Sequence, residues 1–152
     1  MDTGLVVVEP IDSTRELVRE AGALAKGSDG RLILLSILPE EEYDERHEAR
    51  RRGSDFETTY TLEEAEDEAL RLARKIGLEE LKPLDVPYET VGVVGQLTKR
   101  ILAMAAEHDV DHIFLVGTRR SPSGKALFGD VAQSILLNFE NGPVTVLMQD
   151  RE

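Results

Sequence analysis

The sequence contains no cysteine among its 152 residues. This absence excludes disulfides, thiolate catalysis and metal sites built from cysteine. No apolar run approaches the roughly 18 residues that a membrane-spanning helix needs, and no basic start followed by an apolar stretch indicates a signal peptide. We therefore expect a soluble, cytoplasmic protein that makes no membrane contact.

Basic residues are also scarce, since 18 of them stand against 30 acidic residues and the net charge is −12. Phosphates would be repelled over most of such a surface, which argues against nucleic acid as a partner. Arginine outnumbers lysine, and this pattern favours a halophilic-type surface over an ordinary acidic one. The hydrophobic share of 41% excludes a disordered chain and fits one domain.

Short apolar runs alternate with helical patterns along the chain. The runs occupy residues 5–8, 31–38, 86–94, 112–116 and 144–148. Stripes with helical spacing lie between them and start at Leu17, Leu62, Leu97 and Val131. Four strand–helix repeats followed by a last strand predict an α/β fold, a single doubly wound domain over residues 1–152 with a parallel sheet.

Four local patterns carry further predictions. Ser13 has Glu16 three positions later, which is the spacing of a capping box at a helix start. Gly77 is expected to end the second full helix. The 86–94 strand contains Pro87 and is expected to lie near a sheet edge. Residues 40–60 are charged with few apolar anchors, which favours a mobile segment over a solvated helix.

A glycine-rich basic loop joins the fourth strand to the last helix. It runs from Gly117 to Gly129 and includes Arg119, Arg120, Ser121, Ser123, Gly124 and Lys125. A strand, a basic glycine loop and a helix start form the usual layout of an anion site, because backbone N–H groups and the helix dipole point at the loop. The alternative is that these cations pair with acidic surface residues.

Four segments taken together resemble the universal stress protein family. They are a short first strand running into a helix start, VGVVG with ILAMA at residues 91–95 and 101–105, EHDVDHIFLVGTR at 107–119, and LFGDVA at 127–132 followed by GPVTV at 142–146. Their order covers nearly the whole chain. The resemblance implies a universal stress protein (adenine nucleotide alpha hydrolase-like) domain, with a five-stranded parallel sheet in the order 3-2-1-4-5 and helices on both faces.

The resemblance also implies a homodimer joined through the last strand, from Val144 to Met148. Some family members bind ATP through the pattern G-x2-G-x9-G-(S/T), whereas others do not. Here Gly117 and Gly129 match the outer glycines, but Arg120 replaces the middle glycine, the spacing is one residue shorter, and Asp130 replaces the Ser or Thr.

The family's nucleoside-facing acid aligns with Glu9, and the position whose backbone meets adenine aligns with Ile37. The phosphate would face Gly117, Gly124, Gly129, Asp130, Val131 and the basic loop residues. For Asp130 we favour a helix N-cap over a role in binding phosphate through a metal.

Other chemistry finds little support in the sequence. His108 and His112 are residues of a type that binds metals. The segment between them passes from a helix end to a strand start, so the two side chains need not share a face, and a solvated turn is favoured. The chain has no G-x-S-x-G nucleophile elbow and no P-loop lysine motif.

We therefore expect no enzyme and carry two hypotheses. One is a stress-response regulatory protein that binds ATP, another adenine nucleotide or some small anionic ligand. The other is a non-ATP-binding dimeric module that acts through protein partners.

Overall fold

The computed structural model of the chain describes residues 1–52, 60–118 and 129–149. Five parallel strands form one sheet in the order β3-β2-β1-β4-β5. The strands are β1 Thr3–Val8, β2 Arg31–Pro39, β3 Tyr88–Gly95, β4 His112–Thr118 and β5 Val144–Gln149. The predicted fold class and strand order are confirmed, and the strand predicted at 86–94, observed as β3, does lie at a sheet edge.

Helices cover both faces of this sheet. They are α1 Ser13–Ser28, α2 Glu40–Arg52, α3 Leu62–Ile76, α4 Leu97–Glu107 and α5 Asp130–Asn138. One core cluster packs α1 and α3 against one face, and a second packs α4 and α5 against the other. The alternation of buried side chains along β1 explains this division, because Val6 and Val8 belong to the first cluster whereas Leu5 and Val7 belong to the second.

The prediction of a mobile segment was wrong for residues 40–52, which form α2. Two arginines of α2 pair with acids of α3. Arg46 bonds to Glu68 at 2.9 Å, and Arg50 bonds to Glu64 at 3.0 Å. The helix is therefore held by side chains that lie 14 and 22 positions away in the sequence, which local patterning does not reveal.

An aromatic contact adds to these ion pairs. The Tyr43 ring of α2 lies 5.7 Å from the ring of Tyr60, and the Nδ1 atom of His47 lies 2.9 Å from the Tyr60 backbone oxygen. Tyr60 is buried together with Ala65 of α3. One buried aromatic residue thus compensates for the lack of an apolar stripe on α2.

The predicted capping box at Ser13 was wrong. The Ser13 hydroxyl bonds to the side chain of Gln149, at the end of β5, and Asp12 makes no side-chain cap bond. The hydroxyl of Thr14 instead accepts a bond from the Glu9 backbone N–H at 3.0 Å. The start of α1 is therefore tied to neighbouring segments and not to its own first turn.

Helix α3 ends at Ile76 with Gly77 as its C-cap, as predicted, although Gly77 keeps a helical φ of −60°. After α3 the chain continues as a π turn, Gly77–Leu81, and a 3-10 turn, Lys82–Leu84. Gly77 is needed for close packing, because a Cβ atom there would lie 2.4 Å from the Tyr88 ring. Within the described residues, no helix is long and apolar enough to cross a membrane.

Candidate functional site

The carboxyl ends of the parallel strands meet at one edge of the sheet. Glu9 follows β1, Ile37 lies near the end of β2, and Gly117 lies near the end of β4. The order of the strands reverses between β1 and β4, and ligands of doubly wound proteins usually bind at such a point. The fold therefore brings three predicted site residues from distant parts of the sequence to the same edge.

Glu9 is half-buried at this edge. Burial raises the pKa of its carboxyl group above the ordinary value, since the charged form loses hydration. A carboxylate that has lost part of its water shell gains from hydroxyl donors brought by a ligand. This environment suits a residue that accepts hydrogen bonds from a sugar.

Ile37 lies beyond the point where β2 stops pairing with β1 but still pairs with β3. Pairing with β1 ends at Val8 opposite Ser36, whereas pairing with β3 runs on to Pro39. Beyond Ser36, the backbone of β2 has no strand partner on the β1 side. Backbone donors and acceptors there are open to a planar, hydrogen-bonding ligand.

Gly129 precedes the first turn of α5 and adopts a φ of +87°. L side chains rarely adopt this conformation, so the position favours glycine for its backbone alone. As the N-cap, Gly129 has no side chain that could bond to α5, and the N–H groups in the first turn of a helix have no partner within the helix. The strand–loop–helix pattern predicts an anion at this helix start.

Asp130 does not cap α5, because Gly129 is the N-cap and Asp130 is the first helical residue. The prediction of an Asp130 cap was therefore wrong. Because Asp130 is an acid in the first turn, its charge interacts favourably with the positive end of the helix dipole. The next residue, Val131, is half-buried. The basic loop residues Arg119, Arg120, Ser121, Ser123, Gly124 and Lys125 lie outside the described residues.

A cavity of about 250 Å³ opens at the same edge, between the end of β2, α2 and α3. Its lining residues are Pro10, Ser36, Ile37, Leu38, Pro39, Glu42, Arg46, Glu68, Ala69 and Leu72. Ile37 is the one predicted site residue among them, while Pro10 directly follows Glu9. The cavity thus extends the predicted nucleoside position towards α2.

The polar wall of this cavity was not predicted. Arg46 donates from Nη1 to both carboxylate oxygens of Glu68, at 2.9 and 3.0 Å, and from Nη2 to Glu42 at 2.7 Å. The sequence does contain a signal for this arrangement. Arginines four positions apart on α2 match glutamates four positions apart on α3, but this spacing has a meaning only once both segments are known to be helices that pack together.

Tyr60 completes the wall network by donating to Glu68 at 2.6 Å. This hydrogen bond, together with Arg46, lowers the pKa of the Glu68 carboxyl. A hydrogen bond with Tyr60, followed by the contacts with Glu68 and Glu42, raises the pKa of Arg46. Glu68 and Arg46 therefore both stay charged over the physiological range.

The two histidines considered as metal ligands lie in different settings. His108 ends α4, whereas His112 is buried in β4, stacks on Phe114 with ring centroids 4.1 Å apart, and bonds through Nε2 to Thr145 at 2.7 Å. Burial lowers the pKa of His112. In the described ranges, no group of three or more His, Asp and Glu side chains could hold a metal ion.

Comparisons with known proteins agree with this architecture. A universal stress protein from Archaeoglobus fulgidus is 22% identical, with a TM-score of 0.63 over 96% of this chain and 97% of that one. An Archaeoglobus fulgidus universal stress protein in complex with dAMP is 20% identical, with a TM-score of 0.59 over 96% of each chain.

A universal stress protein in complex with cAMP is 19% identical, with a TM-score of 0.59 over 97% of this chain and 96% of that one. At these identities the likeness shows the shared fold. A comparison with curated proteins gives no match. The sequence profile of the universal stress protein family matches residues 1–147. The chain therefore belongs to the universal stress protein family.

Proposed function

We propose that this protein is a regulatory protein of the stress response that binds an adenine nucleotide, or another phosphorylated ligand, at the carboxyl edge of its sheet without catalysing a reaction. The observation that carries the proposal is the meeting of three features at one edge. They are the half-buried Glu9 carboxylate, the β2 backbone beside Ile37 beyond its pairing with β1, and the start of α5 behind Gly129.

The three features match the three parts of a nucleotide. A desolvated carboxylate accepts from ribose hydroxyls, an open strand backbone pairs with the edge of a base, and a helix start stabilises phosphate. Structures of this family in complex with cAMP and with dAMP support an adenine nucleotide as the ligand class. The basic loop would then contribute cations where the family motif has lost a glycine.

Calorimetric titration of ATP with magnesium, in high KCl and again in lower salt, tests the proposal. We expect binding that is lost when Arg119, Arg120 and Lys125 are all changed to Ala. The matched control changes Arg74, Lys75 and Lys82 to Ala, which removes the same charge at the opposite edge of the sheet and should leave affinity unchanged. Equal affinity in the loop variant would contradict a phosphate role for the loop.

A second candidate function is an interaction module that has lost nucleotide binding. Arg120 and Asp130 stand where the ATP pattern has Gly and Ser or Thr, and β5 is an edge strand able to pair with another chain. Absence of ATP binding in every salt condition, with an intact dimer, would favour this candidate. The search would then move to protein partners and other anions.

A further inference from the structure

The cavity between β2, α2 and α3 has two chemically different walls. Ile37 and Leu38 of β2, with Ala69 and Leu72 of α3, form an apolar side. Glu42, Arg46 and Glu68 form a charged side, contributed by the two helices. A ligand that fills the cavity must therefore offer apolar faces together with hydrogen-bonding atoms at its rim.

The charged wall is held in place before any ligand arrives. Glu68 receives bonds from both Arg46 and Tyr60, and Tyr60 itself is only 5% exposed. Glu42 lies one helical turn before Arg46 and binds the other arm of the guanidinium. The planar guanidinium is thus fixed on both sides, and its five N–H donors exceed what the two carboxylates take up.

The charge of this wall decides which part of a nucleotide it suits. One arginine faces two carboxylates, so the net charge of the three side chains is −1 and a phosphate would be repelled. A neutral heterocyclic ring fits instead, because its faces pack on aliphatic side chains while its ring nitrogens accept from a guanidinium. Ile37, whose neighbouring backbone is open, lies in the same cavity.

We propose that Arg46 is a base-binding residue of the nucleotide site, and that α2 forms the outer wall against which the base is held. The proposal rests on the proposed function, since it assigns the base end of the same ligand. In this arrangement the base lies between β2 and α2, and the phosphates lie at the start of α5, as in the proposed function.

The neighbouring ion pair supplies a matched control. Arg50 and Glu64 also join α2 to α3, at 3.0 Å, and their side chains are about as exposed as those of Arg46 and Glu68. Neither Arg50 nor Glu64 lines the cavity. A change at Arg50 therefore weakens the packing of α2 on α3, including the contact of Arg50 with the Tyr60 ring at 5.1 Å, and leaves Glu42, Arg46 and Glu68 in place.

The test is a titration of ATP and of inorganic tripolyphosphate into the wild type and into the Arg46→Gln and Arg50→Gln variants. We expect Arg46→Gln to weaken ATP binding about tenfold or more, as the loss of a hydrogen bond to a charged group does. Tripolyphosphate, which has no base, should bind the wild type and Arg46→Gln alike. Arg50→Gln should bind ATP like the wild type, and Arg46→Lys, which lacks the planar fork, should remain weak.

Each contrary result has its own meaning. A wild type that binds no ATP overturns both the proposed function and this inference. ATP binding that is unchanged in Arg46→Gln overturns the inference alone. Equal weakening by Arg46→Gln and Arg50→Gln assigns the effect to the packing of α2, and this also overturns a contact between Arg46 and the base.

Discussion

At the residue scale, Glu9 combines a cost to stability with a proposed role in binding. Its pKa is raised by burial, so its contribution to stability is fully present below the unfolded pKa and is lost as the pH rises through the folded pKa. At pH 7 the ionised carboxylate therefore destabilises the fold relative to its protonated form. Such a cost is expected where a residue serves a ligand.

We predict that Glu9→Gln raises the free energy of unfolding at pH 7 and makes little difference at about pH 3, below the ordinary pKa of glutamate, where the side chain is protonated in both states. The same variant should bind nucleotide more weakly, because an amide is a poorer acceptor for ribose hydroxyls. Denaturant unfolding at the two pH values and ATP titration measure the two effects. A loss of stability at pH 7 would contradict the desolvation argument.

Gly129 offers a test of backbone conformation without steric interference. A Cβ atom at Gly129 would meet nothing within 4 Å, yet its φ is +87°. We predict that Gly129→Ala costs about 1–2 kcal/mol of stability through backbone strain alone. The control is Gly27→Ala in α1, where a Cβ also meets nothing but the backbone is helical, and a gain of about 0.5–1 kcal/mol is expected.

Thermal or denaturant unfolding of both alanine variants gives the comparison. If Gly129→Ala were as stable as the wild type, the start of α5 would have to adopt an ordinary backbone conformation. The anion-binding geometry inferred for that helix start would then lose its support.

At the element scale, three turns use aspartate where glycine is common. Asp29 ends α1 with a φ of 57°, Asp85 follows the 3-10 turn with the same value, and Asp109 lies just beyond α4 at 51°. A carboxylate near the carbonyl end of a helix is repelled by the helix dipole. These turns therefore carry an electrostatic cost that salt reduces.

We predict that Asp29→Asn and Asp109→Asn each stabilise the protein by about 0.3–1 kcal/mol at low salt, since asparagine tolerates the left-handed conformation without the charge. The gain should shrink in molar KCl. Glu63→Gln, which removes an acid from the first turn of α3, should have the opposite sign. Denaturant unfolding at low salt and in molar KCl measures the change in stability for each variant. Gains in stability that do not depend on salt would contradict an electrostatic cause.

Periodicity predicted α1, α3, α4 and α5 because each carries an apolar stripe that a core can bury. It missed α2, whose stabilising contacts are Arg46 with Glu68, Arg50 with Glu64, and Tyr43 with Tyr60. The same limit applied to the site. Glu9, Ile37 and Gly129 could be assigned from motif positions, whereas Arg46 reaches the cavity through a helix that local sequence did not predict.

At the scale of the whole molecule, the net charge of −12 and the exposed edge of β5 carry one joint prediction. We propose that two copies pair through Val144–Gln149, because an unpaired edge strand tends to recruit another chain. Two chains of this charge repel each other, and salt screens that repulsion. The dimer should therefore be favoured at high salt.

Light scattering in molar KCl should give twice the monomer mass of 16.9 kDa, with dissociation and lower stability in dilute buffer. A monomer at high salt would contradict the pairing. A dimer that is fully stable in dilute buffer would contradict the halophilic-type surface while leaving the pairing intact.

The sequence by itself determined the fold class, because unbroken apolar runs alternating with amphipathic stripes can be buried only as a parallel sheet between helices. It also placed the candidate residues Glu9, Ile37 and Gly117 at strand ends, since motif and strand end coincide in the chain. Only the tertiary structure decided the order in α2, the bond from Ser13 to Gln149, and the wall formed by Glu42, Arg46 and Glu68. Each of these depends on pairs of residues distant in sequence, whose energies exist only once the sheet has brought them together.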